Sequence, residues 1–288
     1  MTESRASEPE VTETGAPCAR SPAMPVTVTA RFAFTTDAPT DVLLQFEAAA
    51  IPEQRIVSSE CRMSDADHLA RVTAEDDIGE RIWLDVNGRF EVAYQAVVEV
   101  RRIVPDITAL PGLAPHDLPG EAVKYLLDSR YCPADSFQSF VGSEFDGTSG
   151  GERVEAIRRW LAENLVYASG ASHSGTGARD TFVERRGVCR DYAHLLITMA
   201  RASAIPARYV ACYAPGVEPP DFHAVAEVFL ADPSIAGGGA WYLVDATGMA
   251  DPAQTVKIGV GRDAADVSFL TSFGDSEFHG ATVSARIT

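Results

Sequence analysis

Apolar and polar residues alternate with a period of two near the start of the chain. Val26, Val28, Ala30, Phe32 and Phe34 are separated by other residues, a pattern typical of a strand with one buried face. Further short strands are predicted over residues 42–46, 54–61, 70–73, 81–84 and 89–101. The last two flank Asp85-Val86-Asn87-Gly88, whose Asn-Gly pair predicts a hairpin turn. Residues 25–104 are therefore predicted to form an all-β domain.

The hydrophobic period changes to that of helices in the second half. Four prolines mark residues 105–120 as a connector. Helices are predicted over residues 121–128, 152–166, 179–186 and 190–204, and strands over 207–213, 222–230 and 240–245. This order, helices followed by strands, indicates an α+β fold with a second domain over 121–288. Residues 1–24 have no apolar period and are predicted to be a disordered tail.

Composition narrows the function classes. A net charge of −17 over 288 residues disfavours nucleic acid, since a phosphate backbone requires a basic surface. No apolar run approaches the ~20 residues that span a bilayer, and the first residues do not resemble a secretion signal. The five cysteines are widely spaced and contain no CxxC pair, so neither a disulfide framework nor a thiolate metal site is expected. We therefore expect a cytoplasmic protein.

The sharpest local signal is the segment Gly187-Val188-Cys189-Arg190-Asp191-Tyr192-Ala193-His194. A glycine permits a tight, closely packed turn, and Cys189 then falls in the first turn of an apolar helix. Free N–H groups at a helix N-terminus favour the thiolate and can also donate to an oxyanion. A lone cysteine at such a position is more often a small core residue, so other groups are needed to support a nucleophile.

Two further residues complete a chemical constellation. His223 enters an alternating strand, and Asp245 lies at the end of another. The spacing from Cys189 leaves room for a helix, a strand and a hairpin partner, so the three side chains can converge. A thiol, an imidazole that takes its proton and a carboxylate that orients the ring form a nucleophilic triad.

These segments resemble bacterial members of the transglutaminase-like superfamily, whose core is related to papain-like cysteine proteases. The resemblance covers residues 25–275, and its most specific part is the segment around Cys189. It also rests on the segments 125–132 (Tyr-Leu-Leu-Asp-Ser-Arg-Tyr-Cys), 205–210 (Ile-Pro-Ala-Arg-Tyr-Val) and 261–267 (Gly-Arg-Asp-Ala-Ala-Asp-Val). The implied fold is an N-terminal β-domain followed by a core in which helices pack on an antiparallel sheet.

The resemblance implies roles for individual residues. Cys189 is the nucleophile, His223 the general base and then acid, and Asp245 the orienting carboxylate. The backbone N–H of Cys189 is expected to be one oxyanion donor, and Tyr167 is a candidate for the second. One departure is Val225, where many members have a tryptophan two residues after the histidine.

Three other residues belong to the matched segments. Asp191 and His194 stand three residues apart on the predicted helix, where they could pair with each other, and we interpret both as supporting groups. The role of Asp221 is open. The loops over residues 168–177 and 214–220 are expected to build the specificity pocket.

Alternatives concern both the site and the reaction. Cys189, His223 and Asp245, with His194, could instead hold zinc, but His194 would point about 140° around the helix from Cys189. We therefore expect no metal and no cofactor. Three functions remain: a peptidase or amidase, a transglutaminase passing the acyl group to an amine, and a silent interaction module. We favour hydrolysis of a peptide or protein substrate, and the sequence gives no prediction of oligomeric state.

Overall fold

The structure is a computed structural model that describes residues 25–235 and 238–288. The predicted tail over 1–24, with Cys18, lies outside the described residues. Within the described part, no helix is long and apolar enough to cross a membrane.

The chain forms strands at its N-terminal end, then helices, then strands again. The first strands are β1 (Pro25–Leu44), β2 (Gln54–Met63), β3 (His68–Thr73) and β4 (Glu80–Val100). The helices are α1 (Gly120–Val123), α2 (Gln138–Glu144), α3 (Gly150–Asn164), α4 (Ala178–Glu184) and α5 (Cys189–Ala202). The remaining strands are β5 (Val166–Tyr167), β6 (Arg186–Gly187), β7 (Ala207–Tyr213), β8 (His223–Ala231), β9 (Gly239–Val244), β10 (Val256–Gly261), β11 (Leu270–Ser272) and β12 (Ser276–Ile287).

The first sheet is antiparallel and is built around β1 and β4. β1 pairs with β4 on one side and with β11 and β12 on the other, while β2 and β3 pair with β4. Alternate residues of β1, such as Val26, Val28 and Ala30, are fully buried. The predicted alternation is thus confirmed, because one face of these strands packs into a core.

The predicted hairpin at Asn87-Gly88 is wrong. β4 passes through both residues as one strand, and β1 is also continuous, because each half of β4 pairs with β1 and not with the other half. The irregularity is a bulge: Thr36 lies opposite Gly88 and Thr40 opposite Val86. The Thr36 hydroxyl donates to the Val86 carbonyl (2.9 Å) and accepts from the Gly88 N–H (3.2 Å). The positive φ of Gly88 (94°) suits glycine at this distortion.

The second sheet carries the helices and confirms the α+β class. Its four antiparallel strands have the order β10-β7-β8-β9, and α5 packs on β8. Leu195, Leu196 and Met199 of α5 are fully buried in the same core as Ile157 and Leu161 of α3. The predicted strand over 207–213 matches β7, and the predicted helices at 152–166, 179–186 and 190–204 match α3, α4 and α5 within about two residues.

The C-terminal end departs from the predicted domain boundary. The range 121–288 was assigned to a single domain, but β11 and β12 lie in the first sheet beside β1. Their pairing covers the edge of β1 that faces away from β4. Val283 is the one residue of β12 that is buried. The strand therefore has no periodic apolar pattern from which it could be predicted.

Candidate active site

Cys189 is the first residue of α5 and follows a tight turn. The Val188 N–H donates to the Asp191 carboxylate (2.8 Å), which closes the first turn around Cys189. A Cβ atom added at Gly187 would lie 2.6 Å from the Cβ of Asp191, so glycine is required by close approach. The predicted glycine turn and helix start are therefore what the structure has, with the thiol half-buried.

A short parallel pairing brings Tyr167 beside this turn. β5 pairs with β6 so that Tyr167 lies opposite Gly187, and the Ala168 N–H donates to the Gly187 carbonyl (2.9 Å). Tyr167 is thus held close to Cys189, whose charge acts on its phenol. Burial, and then the negative charge of Cys189, raise the pKa of Tyr167 to about 12. The phenol is consequently a proton donor at neutral pH.

His223 and Asp245 meet where two neighbouring strands begin and end. His223 is the first residue of β8, Asp245 follows the last residue of β9, and His223 Nε2 lies 3.1 Å from Asp245 Oδ2. Both side chains are almost completely buried. Among the described residues, His223 Nδ1 has no hydrogen-bond partner, so this ring nitrogen is available to a further group.

The Asp245 carboxylate is fixed by its own loop. Thr247 donates its backbone N–H (2.8 Å) and its hydroxyl (2.8 Å) to Oδ1, and the Ala250 N–H donates to Oδ2 (2.7 Å). Burial opposes ionisation of this group, but His223 and these donors outweigh it and lower the pKa of Asp245. Sequence reasoning missed Thr247 and Ala250, although an Asp followed two residues later by Thr is a turn pattern that could have indicated Thr247.

The electrostatics of His223 favour its protonated form. Burial disfavours the charged ring, but the hydrogen bond with Asp245 and the interaction with Cys189 outweigh it and raise the pKa of His223 to about 9. The imidazolium is therefore the dominant form at neutral pH. A cationic ring between a carboxylate and a thiol is the arrangement that stabilises a thiolate.

Asp191 and His194 do not pair with each other, contrary to the expectation from their spacing. Asp191 is fully buried and, besides the Val188 N–H, accepts from the Ser172 hydroxyl (2.9 Å), while burial raises its pKa. His194 is buried on the far side of the turn, where Nε2 accepts from the Ala264 N–H (3.1 Å). Its ring stacks on Tyr131, at 5.1 Å between ring centroids.

These contacts define supporting roles. Burial foremost, with the nearby guanidinium groups of Arg190 and Arg201, lowers the pKa of His194 well below its usual range, so the ring is neutral. Asp191 holds the nucleophile turn and, through Ser172, the glycine- and serine-rich loop. Arg190 secures the same loop by donating to the Ser172 hydroxyl (3.1 Å) and the His173 carbonyl (3.0 Å).

Asp221 lies on the loop before β8, two residues ahead of His223. It is exposed, and its carboxylate accepts from the Phe222 N–H (2.7 Å). Its charge is one of the smaller causes that raise the pKa of Tyr167, after burial and Cys189. Within residues 25–235 and 238–288, no group of three or more His, Cys, Asp or Glu side chains is arranged to hold a metal ion.

Known proteins share this architecture. Residues 139–246, which include Cys189, His223 and Asp245, match the model of the transglutaminase-like superfamily. The crystal structure of a "putative cysteine protease" from Cytophaga hutchinsonii is 31% identical, with a TM-score of 0.81 over 92% of this chain and 91% of that chain.

Two curated relatives are similar over shorter stretches. An uncharacterized protein of Mycobacterium leprae is 29% identical over 190 residues, and one of Mycobacterium tuberculosis is 34% identical over 128 residues. The matches span 66% and 40% of the length of these two relatives.

Proposed function

Since the chain belongs to the transglutaminase-like superfamily, we propose that it is a thiol-dependent acyl-transfer enzyme that cleaves an amide or peptide bond. Cys189 is the nucleophile, His223 the proton carrier and Asp245 its orienting carboxylate. The observation that carries this proposal is the buried His223–Asp245 pair, whose remaining ring nitrogen is free for the thiol.

The reaction begins from the thiolate–imidazolium pair. The Cys189 thiolate attacks the carbonyl carbon, and the carbonyl oxygen becomes an oxyanion. The backbone N–H of Cys189 at the start of α5 donates to it, and the Tyr167 hydroxyl is the second donor. His223 then gives its proton to the leaving nitrogen as the C–N bond breaks, so that an amine or ammonia departs and a thioester remains.

Hydrolysis completes the cycle. His223, now neutral, takes a proton from water as that water attacks the thioester, and the carboxylic acid leaves with regeneration of the thiolate–imidazolium pair. The half-buried thiol favours water as the acceptor, because a site that excludes water is what an amine acceptor requires. The similarity to the "putative cysteine protease" of Cytophaga hutchinsonii supports cleavage of peptide bonds.

Selective alkylation tests the activated thiolate. At pH 7 iodoacetamide should modify Cys189 at least about tenfold faster than an ordinary thiol, because the helix N-terminus and the protonated ring of His223 both favour a thiolate. Cys61 and Cys132 should be alkylated much more slowly, because burial raises the pKa of each to about 12. Glu47 adds to the shift at Cys61. Peptide mass mapping assigns each rate. His223→Ala should slow Cys189, whereas His116→Ala, at an exposed histidine, should not. Equal rates at the three cysteines would refute the activated nucleophile.

The products of turnover show whether water or an amine accepts the acyl group. Incubation with a glutamine-containing peptide and a labelled primary amine should yield the free acid and little amine adduct. Cys189→Ser should abolish both products while leaving the unfolding midpoint unchanged. Predominant incorporation of the amine would overturn water as the acceptor and keep the acyl-enzyme.

A further inference from the structure

A cleft beside the triad has two walls from different sheets. Its volume is about 250 Å³. One wall is the loop between β7 and β8, and the other is β12. The lining residues are Ala214, Gly216, Val217, Glu218, Pro220, Asp221, Ser284, Ala285 and Arg286. The C-terminal strand of the first sheet therefore helps to shape a cavity next to the catalytic groups of the second.

The cleft is joined to the catalytic groups through packing. Ala214 and Val217 form a small buried cluster with Ala250, and the Ala250 N–H is the donor that holds Asp245 Oδ2. At the other end, Asp221 lies two residues before His223 on the loop that leads into β8. The cleft therefore adjoins both the loop that holds Asp245 and the loop that leads into His223.

The charges of the cleft select its occupant. Within the described chain, neither Asp221 nor Glu218 has an ion-pair partner, and Arg286 on the other wall forms no ion pair with either. Both carboxylates line the cleft and would attract a cation bound there. The net charge of −17 also draws cations toward the molecule.

We propose that this cleft is a subsite for one ammonium or guanidinium group of the acyl-donor peptide, held by Asp221 and Glu218. The inference rests on the proposed function and specifies its substrate class: peptides with Lys or Arg beside the reacting carbonyl.

Charged thiol reagents test the subsite without a known substrate. Methanethiosulfonates of similar size carrying an ethylammonium or an ethylsulfonate should modify Cys189 at rates whose ratio exceeds the ratio at free cysteine by about tenfold. Asp221→Asn and Glu218→Gln should each lower this ratio several-fold. Glu144→Gln, an exposed acid on α2, removes the same charge elsewhere and should leave it unchanged. Peptide mapping keeps Cys189 apart from the other cysteines.

A neutral methyl methanethiosulfonate distinguishes failure of the subsite proposal from failure of the activated-thiolate proposal. Rapid reaction with the neutral reagent and a ratio equal to that of free cysteine would overturn the subsite while leaving the nucleophile intact. Slow reaction of Cys189 with all three reagents would remove the activated thiolate and the subsite with it.

Matched peptides then test the substrate class. Fluorogenic amides that differ in one residue beside the scissile bond, Lys, norleucine or Glu, should show the highest kcat/KM for Lys in the unmodified protein. Asp221→Asn should lower the ratio of Lys to norleucine, and Asp221→Arg should favour Glu. If Asp221→Asn changed only the partition of the acyl-enzyme between water and an added amine, the cleft would serve the acceptor, and the acyl-donor proposal would be wrong.

Discussion

His223 receives opposite influences from its surroundings. Burial disfavours a charged ring, whereas Asp245 and Cys189 favour it, and the second influence wins, with a pKa of about 9. Because the ring holds a proton at neutral pH, the leaving nitrogen can be protonated without prior proton transfer from the thiol. The same proton must be lost at alkaline pH, which fixes where activity declines.

The pH dependence of kcat/KM should therefore have an alkaline limb at about pH 9, where the proton donor for the leaving nitrogen is lost. Asp245→Asn removes the carboxylate that raises the pKa of His223, so the limb should move to lower pH and kcat should fall roughly 10²-fold or more. The measurement is kcat/KM against pH for both proteins. Asp275→Asn, at an exposed position, serves as control. An unmoved limb in Asp245→Asn would show that another group is titrating.

Single residues were predictable where their chemistry is unusual. Cys189, His223 and Asp245 could be proposed because thiol, imidazole and carboxylate occur in separate segments that each begin or end an element. The hydrogen-bond donors to Asp245 could not be predicted, because two of them are backbone N–H groups. Every residue except proline carries such a group. The direction of His194 was misjudged since spacing along a helix fixes an angle and not a partner.

At the scale of elements, the first turn of α5 depends on the space beside Gly187. The Asp191 side chain occupies the position that a Cβ at residue 187 would take, and it is held there by the Val188 N–H and the Ser172 hydroxyl. A buried carboxylate with two donors cannot move aside without losing them. The nucleophile turn and its capping residue are therefore one packed unit.

Gly187→Ala should destabilise the protein by about 1–3 kcal/mol, because overpacking displaces Asp191, and should slow alkylation of Cys189. Urea unfolding and the alkylation rate measure the two effects. Gly142→Ala in α2 is the matched control: its Cβ meets no atom within 4 Å, and alanine should stabilise a helix by up to about 1 kcal/mol. If both substitutions behaved alike, close packing at Gly187 would not position the nucleophile.

The strands show what a sequence pattern can and cannot determine. The alternation in β1 predicts a half-buried strand, since burial of one face imposes the period on the sequence. It does not identify the partner, and for this reason Asn87-Gly88 suggested a hairpin where two long strands run side by side. β10 is buried on both faces and β12 on almost neither, so neither alternates.

At the scale of the whole molecule, buried charges join the two sheets. Glu227 of β8 is fully buried and pairs with Lys257 of β10 and with Arg208 of β7 (2.8 Å). Lys257 also pairs with Glu53, between β1 and β2, and Arg208 with Asp76 (2.9 Å), between β3 and β4. Both sheets also line the cleft beside Asp221. This charge network therefore fixes the relative position on which the cleft depends.

Glu227 is the centre of this network, and its replacement should lower the stability of the whole molecule. Burial opposes its ionisation, but Lys257 and Arg208 outweigh it and lower the pKa of Glu227 to about 2. Glu227→Gln leaves these two cations undercompensated, so unfolding by urea at pH 7 should cost about 3–5 kcal/mol less than in the unmodified protein. Glu163→Gln, at an exposed position on α3, should change it by less than about 0.5 kcal/mol.

The pH dependence of this difference identifies the charge as its cause. A carboxylate with a depressed pKa contributes its stability fully above its ordinary value of 4.5 and loses it as the pH falls toward about 2. The difference in unfolding free energy between Glu227→Gln and the unmodified protein should thus be constant between pH 5 and 7 and should narrow below about pH 4.5. A gap that persisted unchanged at pH 3 would assign the destabilisation to altered packing, and the sheets would then be held together by their apolar contacts alone.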